Sequence, residues 1–450
     1  MTETLGPLTL VGDTASTLRI DYAGAAGQSL TFSGATALTR WAGSTLSLIS
    51  NSDFAPGVNS IVFAGATPSL VGGIWPFATV TTNSGSASEA IDLVTDRDGT
   101  LGGVSVSVGR LLTYDSSNVK ATSSLTLGSS LNALLISGDG VTVTVPAGGT
   151  TIASGQVVAT GGNSSGNSLV GGAISFGSSE QQWFVQGANE TQQLSLTGAT
   201  GGSFALSLPF AGATSAAQLA VLGATGALAQ IPRTIELAWN ATASQIQAAL
   251  EALPNIGAGN VVVTGAAGLF LITFVGSLAG GQLPRLNAAN WLNSGAGISL
   301  TTSSDGGGQL LVSSAVGGTG AARKERRGKL VLAGDNSAFD SALAIASGVV
   351  TLQHSNALGD ATANGATTVS SGAALELEGG ISVAANESLT LSGLGYGNDG
   401  SGALRNRFGA NAWNGLISLG SSVAAIGVGA NSDGLYASPS SGSSDVLSLS

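Results

Sequence analysis

The sequence predicts a mainly β chain, with β-solenoid or β-helix-like segments flanking a small α+β module that holds one short helix at about 243–253. Three observations carry this. Alternating apolar and polar residues are broken by Gly and Asn at nearly fixed intervals. This is clearest in Gly328-Lys-Leu-Val-Leu-Ala-Gly-Asp-Asn-Ser-Ala-Phe339, then Gly348-Val-Val-Thr-Leu352 and Asn356-Ala-Leu-Gly359. Strand, tight turn, strand is how one solenoid coil is written. Second, the chain is glycine-rich yet apolar, with 69 Gly in 450 residues, 9% charged residues and mean hydropathy +0.36. Disordered chains are polar and charged, so these glycines punctuate ordered structure. Third, the helix formers Lys, Glu and Arg are scarce.

Three regions follow along the chain: 1–178, 179–312 and 313–450. The first holds short strands, among them Leu8–Leu10, Thr17–Asp21, Leu30–Phe32, Leu46–Ile49, Ser60–Phe63, Val104–Val108, Ser124–Leu127 and Val141–Val145. Their spacing fits solenoid corners or a β-sandwich. In the second region, Glu190–Leu196 and Gly202–Leu208 read as a hairpin-like pair, and Thr234–Trp239 as a further strand. Ala243–Leu253 is the one convincing helix. Thr242 with Gln245 writes a capping box, Ile246, Leu250 and Leu253 share a face, and Pro254 ends it. Val261–Gly281 is uncharged but contains five glycines, so it reads as strands Val261–Thr264 and Leu269–Val275 rather than a membrane span. Ile298–Thr302 completes the module, and residues between Pro209 and Arg233 read as a long insertion.

The third region resembles the autotransporter-associated β-strand repeat of large bacterial surface and secreted proteins. Gly328, Leu330, Leu332, Gly334, Asn336, Gly348, Leu352, Ala357, Leu358 and Gly359 fall on that pattern, with Phe339 one residue late for its aromatic. Asn51–Phe63 and the strings Gly402–Asn406 and Trp413–Leu419 are similar to the same family. The middle region resembles a repeat module of large bacterial extracellular proteins, through Glu190, Gln192, Leu194, Gly198–Gly202, Phe204, Ile246–Leu253, Ile256, Gly257, Gly259, Asn260 and Val261–Gly265. The resemblance implies a structural or adhesive element, extracellular or on the cell surface. Its expected partners are further copies of itself or other surface and matrix components, with polysaccharide an open alternative. A carbohydrate-binding or carbohydrate-active β-helix and a self-assembling fibre subunit are the competing readings.

The net charge of −11 and sequence pI near 4.4 disfavour nucleic acid and anionic membranes as partners. The absence of Cys leaves stability to stacked ladders and their core. Met1–Gly6 lacks the basic and apolar regions of a signal peptide, so the numbering is expected to start inside a longer precursor or after processing. Leu5–Val11 and Asp445–Ser450 read as uncapped end strands, expected to pair with more chain or head-to-tail with another copy.

Candidate chemistry is thin, and no catalytic residue or cofactor is expected. Asp92, Asp96 and Asp98-Gly99 resemble a loose Ca²⁺ loop, against the alternative of an Asp/Gly turn holding an internal Arg97 pair. Glu376 and Glu378, two apart on one strand face, have the spacing of a glycosidic acid/base pair; a solvated face is the plainer reading. His354 is the only histidine and reads as a turn residue. In Arg323-Lys-Glu-Arg-Arg-Gly-Lys329, five of the 14 basic residues fall together. Its readings are a solvated junction, a protease-sensitive linker or a contact for an acidic neighbour.

Overall fold

The computed structural model describes residues 2–449 apart from 22–26, 56–57, 85–88, 99–105, 162–164, 209–232, 282, 284, 305, 361, 363–364, 399 and 429–444. The insertion expected at 209–232 and the Ser-rich stretch 429–444 lie outside the described residues. Strands Thr2–Leu5, Leu8–Leu10 and Ala15–Ile20 make one coil. Gln28–Thr36, Leu38–Arg40 and Thr45–Ser50 pair with them in parallel as the next. Asn59–Ala66 and Ala78–Thr82 form a third. Register places Leu5, Phe32 and Phe63 in one column, and ring packing continues through Trp75 to Phe77. Two antiparallel strands close this first stack. Ala90–Asp96 pairs with Ala78–Thr82, and Val106–Arg110 pairs with both Ala90–Asp96 and Asn59–Ala66. They occupy edges that would otherwise present unpaired backbone groups.

A second stack starts at Asn118. Two long parallel sheets run along it, with nine successive strands in each, joined at alternating corners. The alternation of each strand points one set of residues inward. One inward column is Val119, Leu134, Val157, Trp183, Lys324, Ile345, Val369, Leu391 and Leu419. The facing sheet stacks Leu125, Val143, Leu169, Val312, Leu332, Leu352 and Leu377. Forty residues share this buried core, and most of the two columns belong to it.

The two stacks lie side by side and run in opposite directions. The third coil of the first touches the early coils of the second: Asn118 Nδ2 donates to Gly72 O and Gln156 Nε2 to Ala78 O. The first coil touches a later one, where Arg323 Nη1 donates to Asp13 O. Beside the third coil, Ile74, Ile91 and Leu93 pack against Ala133, Leu135, Val158 and Phe184.

The module is inserted within one coil. Gln181–Gln186 pairs with Thr150–Thr160 on one side and Ala322–Glu325 on the other, so it belongs to the solenoid. A boundary at 178/179 thus falls inside a coil. The chain leaves after Gln186 and re-enters at Gln309–Val312, with Ala188 and Gly307 bridged where it departs and returns. Thr191–Thr197 and Gly202–Ser207 do not form the expected hairpin. The first lies between Leu269–Phe274 and Gly297–Ser304, the second between Leu237–Ala238 and Asn287–Leu292. Gly198 and Gly202, both at positive φ, let the short link pass from one sheet to the other. The helix spans Ala243–Glu251 with its capping box formed: Gln245 N donates to Thr242 Oγ1 and Thr242 N to Gln245 Oε1. Ile246 and Leu250 are fully buried against Val261 and Phe274. Val261–Ala266 and Leu269–Phe274 pair antiparallel, as strands and not a span; no described helix is long and apolar enough to cross a membrane.

Buried asparagines fasten neighbouring coils. Asn336, 1% exposed, accepts from Val316 N at 2.8 Å and donates to Ala357 O at 2.8 Å, touching the coils before and after its own. Asn167 accepts from Val141 N and donates to Gly138 O, both of the coil before its own. Substitution Asn336→Ala strands two buried backbone groups, each worth about 1–3 kcal/mol. The variant is expected to lose about 2–4 kcal/mol in equilibrium denaturation, whereas Asn356→Ala, in a turn at the surface, loses less than about 1 kcal/mol.

Candidate functional site

The residues placed on the repeat pattern sit where a coil needs them. Leu330, Leu332, Phe339, Leu352 and Leu358 line the core of the second stack. Gly328 N donates to Val185 O of the preceding coil. At Gly334 a side chain would collide with the Ser314 carbonyl. Gly348 and Gly359 adopt φ of 76° and 111° at corners, where only glycine is free of strain. These are structural positions with no reactive group among them.

The calcium reading is not supported by geometry. Asp92 and Asp96 lie four residues apart in one strand, Ala90–Asp96. At about 3.3 Å per residue, that is too far for both to ligate one ion. Asp92, 1% exposed, is taken by Lys120 Nζ at 2.8 Å and Tyr114 Oη at 3.0 Å. Burial, then the neighbouring Asp92 charge, push the Tyr114 hydroxyl far above its usual range. Asp98 pairs with Arg97 at 3.2 Å, which is the Asp turn with an internal arginine pair; Gly99 lies outside the described residues. No group of three or more potential metal ligands occurs among the described residues. His354 is in a turn, its Nδ1 accepting from Asn356 N at 3.1 Å.

Glu376 and Glu378 are not on a solvated face. They are 0% and 7% exposed, on the outward side of Ala373–Glu378. Lys329 Nζ lies 3.0 Å from Glu376 and 3.5 Å from Glu378; Arg405 and Arg407 add contacts at 3.3 Å and 3.2 Å. Thr351 Oγ1 and Gln353 Nε2 donate to them at 2.8 Å. Burial alone would raise the Glu376 pKa, but Lys329, Arg405 and Arg407 overcome it and hold the carboxyl at about 2. A carboxylate so held cannot lend a proton to a glycosidic oxygen.

The basic cluster is neither a solvated junction nor an exposed linker. Ala322–Glu325 and Lys329–Leu332 are strands of the two long sheets, buried along their whole length. Arg323 pairs with Glu325 at 2.6 Å. Lys324, 0% exposed, occupies the inward column between Trp183 and Ile345. Its Nζ ends on the carbonyls of Arg326, Gly328 and Ser347, and burial lowers its pKa well below that of a free lysine. Only Arg326 and Arg327, at the corner, remain partly exposed. The alternation carried the one available signal: Lys324 is two residues from the inward Ala322.

Two further buried acids escape a sequence reading. Glu190, at the neck of the module, accepts from Gly306 N at 2.8 Å and Gln192 Nε2 at 3.1 Å. Glu387 is 1% exposed, and neither of its carboxylate oxygens has a hydrogen-bond partner among the described residues. Burial, with the nearby Asp340 charge, pushes it up to about 7. No protein-family model and no curated protein matches this chain.

Opposite pH behaviour is expected of the two acids. The depressed pKa of Glu376 stabilises the fold fully above about pH 4.5 and ceases to as pH falls toward 2. Glu376→Gln should therefore cost about 3–5 kcal/mol at pH 7, with the gap narrowing in acid. Glu387 has a raised pKa, so the wild type loses stability as pH rises from about 4.5 through 7. Glu387→Gln should be the more stable protein at pH 8 and equal to wild type near pH 4. Denaturation midpoints at both pH values check this. Limited trypsin should cut at exposed Arg233 and Arg285 and spare Arg323–Lys329, read by mass spectrometry of the first fragments.

Proposed function

We propose that this protein is a non-catalytic structural and adhesive element of a bacterial cell surface or extracellular matrix. The observation that carries the reading is the unbroken inward column of the second stack, which passes from Trp183 to Lys324 as though residues 188–307 were absent. A scaffold that keeps its register across an inserted module is suited to displaying that module while bearing load through stacked coils. The repeat pattern and the acidic composition support an extracellular setting. Glu376 and Glu378, the acids best spaced for carbohydrate cleavage, are committed to buried ion pairs, which weighs against the carbohydrate-active alternative.

Self-association enters through the last coil. Leu416, Leu419, Ile426, Val428 and Val446 are 41% to 70% exposed, in or next to strands that end their sheets among the described residues. Apolar, unpaired strands of this kind recruit partners. Sedimentation is expected to show concentration-dependent association of the purified chain, abolished by Leu419→Asp with Val428→Asp. A panel of acidic and neutral polysaccharides is expected to stay uncleaved. Reproducible cleavage, or a chain that remains monomeric at high concentration, would overturn the corresponding half of the proposal.

A further inference from the structure

Where the two stacks and the module meet there is a cleft of about 440 Å³. Thr17 and Ser47 of the first stack form one wall, Gly276 of the module another, and Ser347 lies opposite. The floor is the corner that carries Arg326 and Arg327. The one carboxylate among the described lining residues is already engaged: Glu325 Oε1 accepts from Arg323 at 2.6 Å and Thr45 at 2.8 Å.

Among the described residues, neither floor guanidinium touches a carboxylate. Arg326 donates only to the neutral acceptors Gln186 Oε1 and the Thr79 and Thr81 hydroxyls. Arg327 lies 5.0 Å over the Tyr396 ring and makes no hydrogen bond or ion pair among the described residues. The Nε atoms of both arginines and the Tyr396 hydroxyl are buried with no hydrogen-bond partner among the described residues. Arg326 is also one of few non-glycine residues at positive φ, 71°, a conformation that costs energy and clusters at ligand sites. Burial brings the Arg326 pKa down to about 10, so it stays cationic at neutral pH.

We propose that Arg326 and Arg327 are the carboxylate-binding floor of this cleft, and that its ligand is an acidic sugar of the uronate class. A planar guanidinium pairs with a carboxylate through two parallel hydrogen bonds. The wall hydroxyls of Thr17, Ser47 and Ser347 suit the hydroxyls of a pyranose ring. The volume lies within the range of small-molecule pockets. Net charge −11 disfavours densely charged polyanions, which favours a single uronate unit. This inference deepens the adhesive reading and rests on it only for the source of the sugar.

Titration calorimetry of the full chain with glucuronate, glucose and inorganic sulfate tests it. Glucuronate is expected to bind, weakening with added salt, with glucose and sulfate each about tenfold weaker or more. Arg327→Gln should weaken glucuronate binding about tenfold or more, since it removes charge-assisted hydrogen bonds. Thr17→Glu, at an exposed strand position, places a competing carboxylate in the cleft and should abolish binding without loss of folding. No glucuronate binding, equal binding of glucose or sulfate, or full affinity in a folded Thr17→Glu protein would overturn the proposal. Any of these leaves the sedimentation result on self-association unaffected.

Discussion

The constraint on which everything else depends is the parallel register between coils. Each coil has to place its inward residues over those of the coil before it, because the backbone ladder and the core are made in the same step. A slip of one residue would turn Leu330, Leu332 and Leu352 outward and bring Lys329 and Thr351 in. The glycines and asparagines at the corners enforce that register. Gly328 and Gly334 let one coil approach the next, and Asn336 converts the approach into hydrogen bonds on both sides. The inserted module obeys the same rule: it leaves and returns between Gln186 and Gln309, where the ladder already has a corner.

Register is local, which is why so much of the fold was legible. Leu330, Leu332, Gly334 and Asn336 announce a coil because each is required by the coil adjacent to it. The helix was equally legible, since Thr242, Gln245, Ile246 and Leu250 interact within two turns. The false hairpin marks the limit. Thr191–Thr197 and Gly202–Ser207 have the alternation of strands and a Gly-Ala-Thr-Gly link, but alternation does not name a partner. Their partners, Gly297–Ser304 and Asn287–Leu292, lie far along the chain, with Thr197 paired to Gly297 and Gly202 to Leu292.

Charge was the least legible feature. With 9% charged residues, a run such as Arg323–Lys329 suggests solvent, yet its strands lie inside the assembly of two stacks and a module. The sequence carries no local sign that a second stack turns back along the first. Glu376 and Glu378 were open to the same error: two acids on one strand face look solvated until Lys329, Arg405 and Arg407 arrive from other coils. Burying such a cluster is costly unless every member is paired. That cost makes it a device of specificity, since Lys329, Glu376 and Arg405 meet only when their coils are in register.

The outward residues of the long sheet record what covers each coil. Leu135, Val158 and Phe184 form an outward column under the first stack, and Glu325 is the next residue in it. The neighbouring column passes from Arg323 to Ala344, Thr368, Thr390 and Ser418, with Thr368 and Ser418 exposed. Apolar, then ionic, then hydroxyl: the change follows the first stack to its last contact and into open solvent. Arg326 and Arg327 lie at the ionic step, where apolar packing has ended and water has not fully entered. Charges at such a boundary are partly desolvated and still reachable, so they interact more strongly with a ligand than charges on a free surface. The placement of this cleft follows from how far one stack extends along the other.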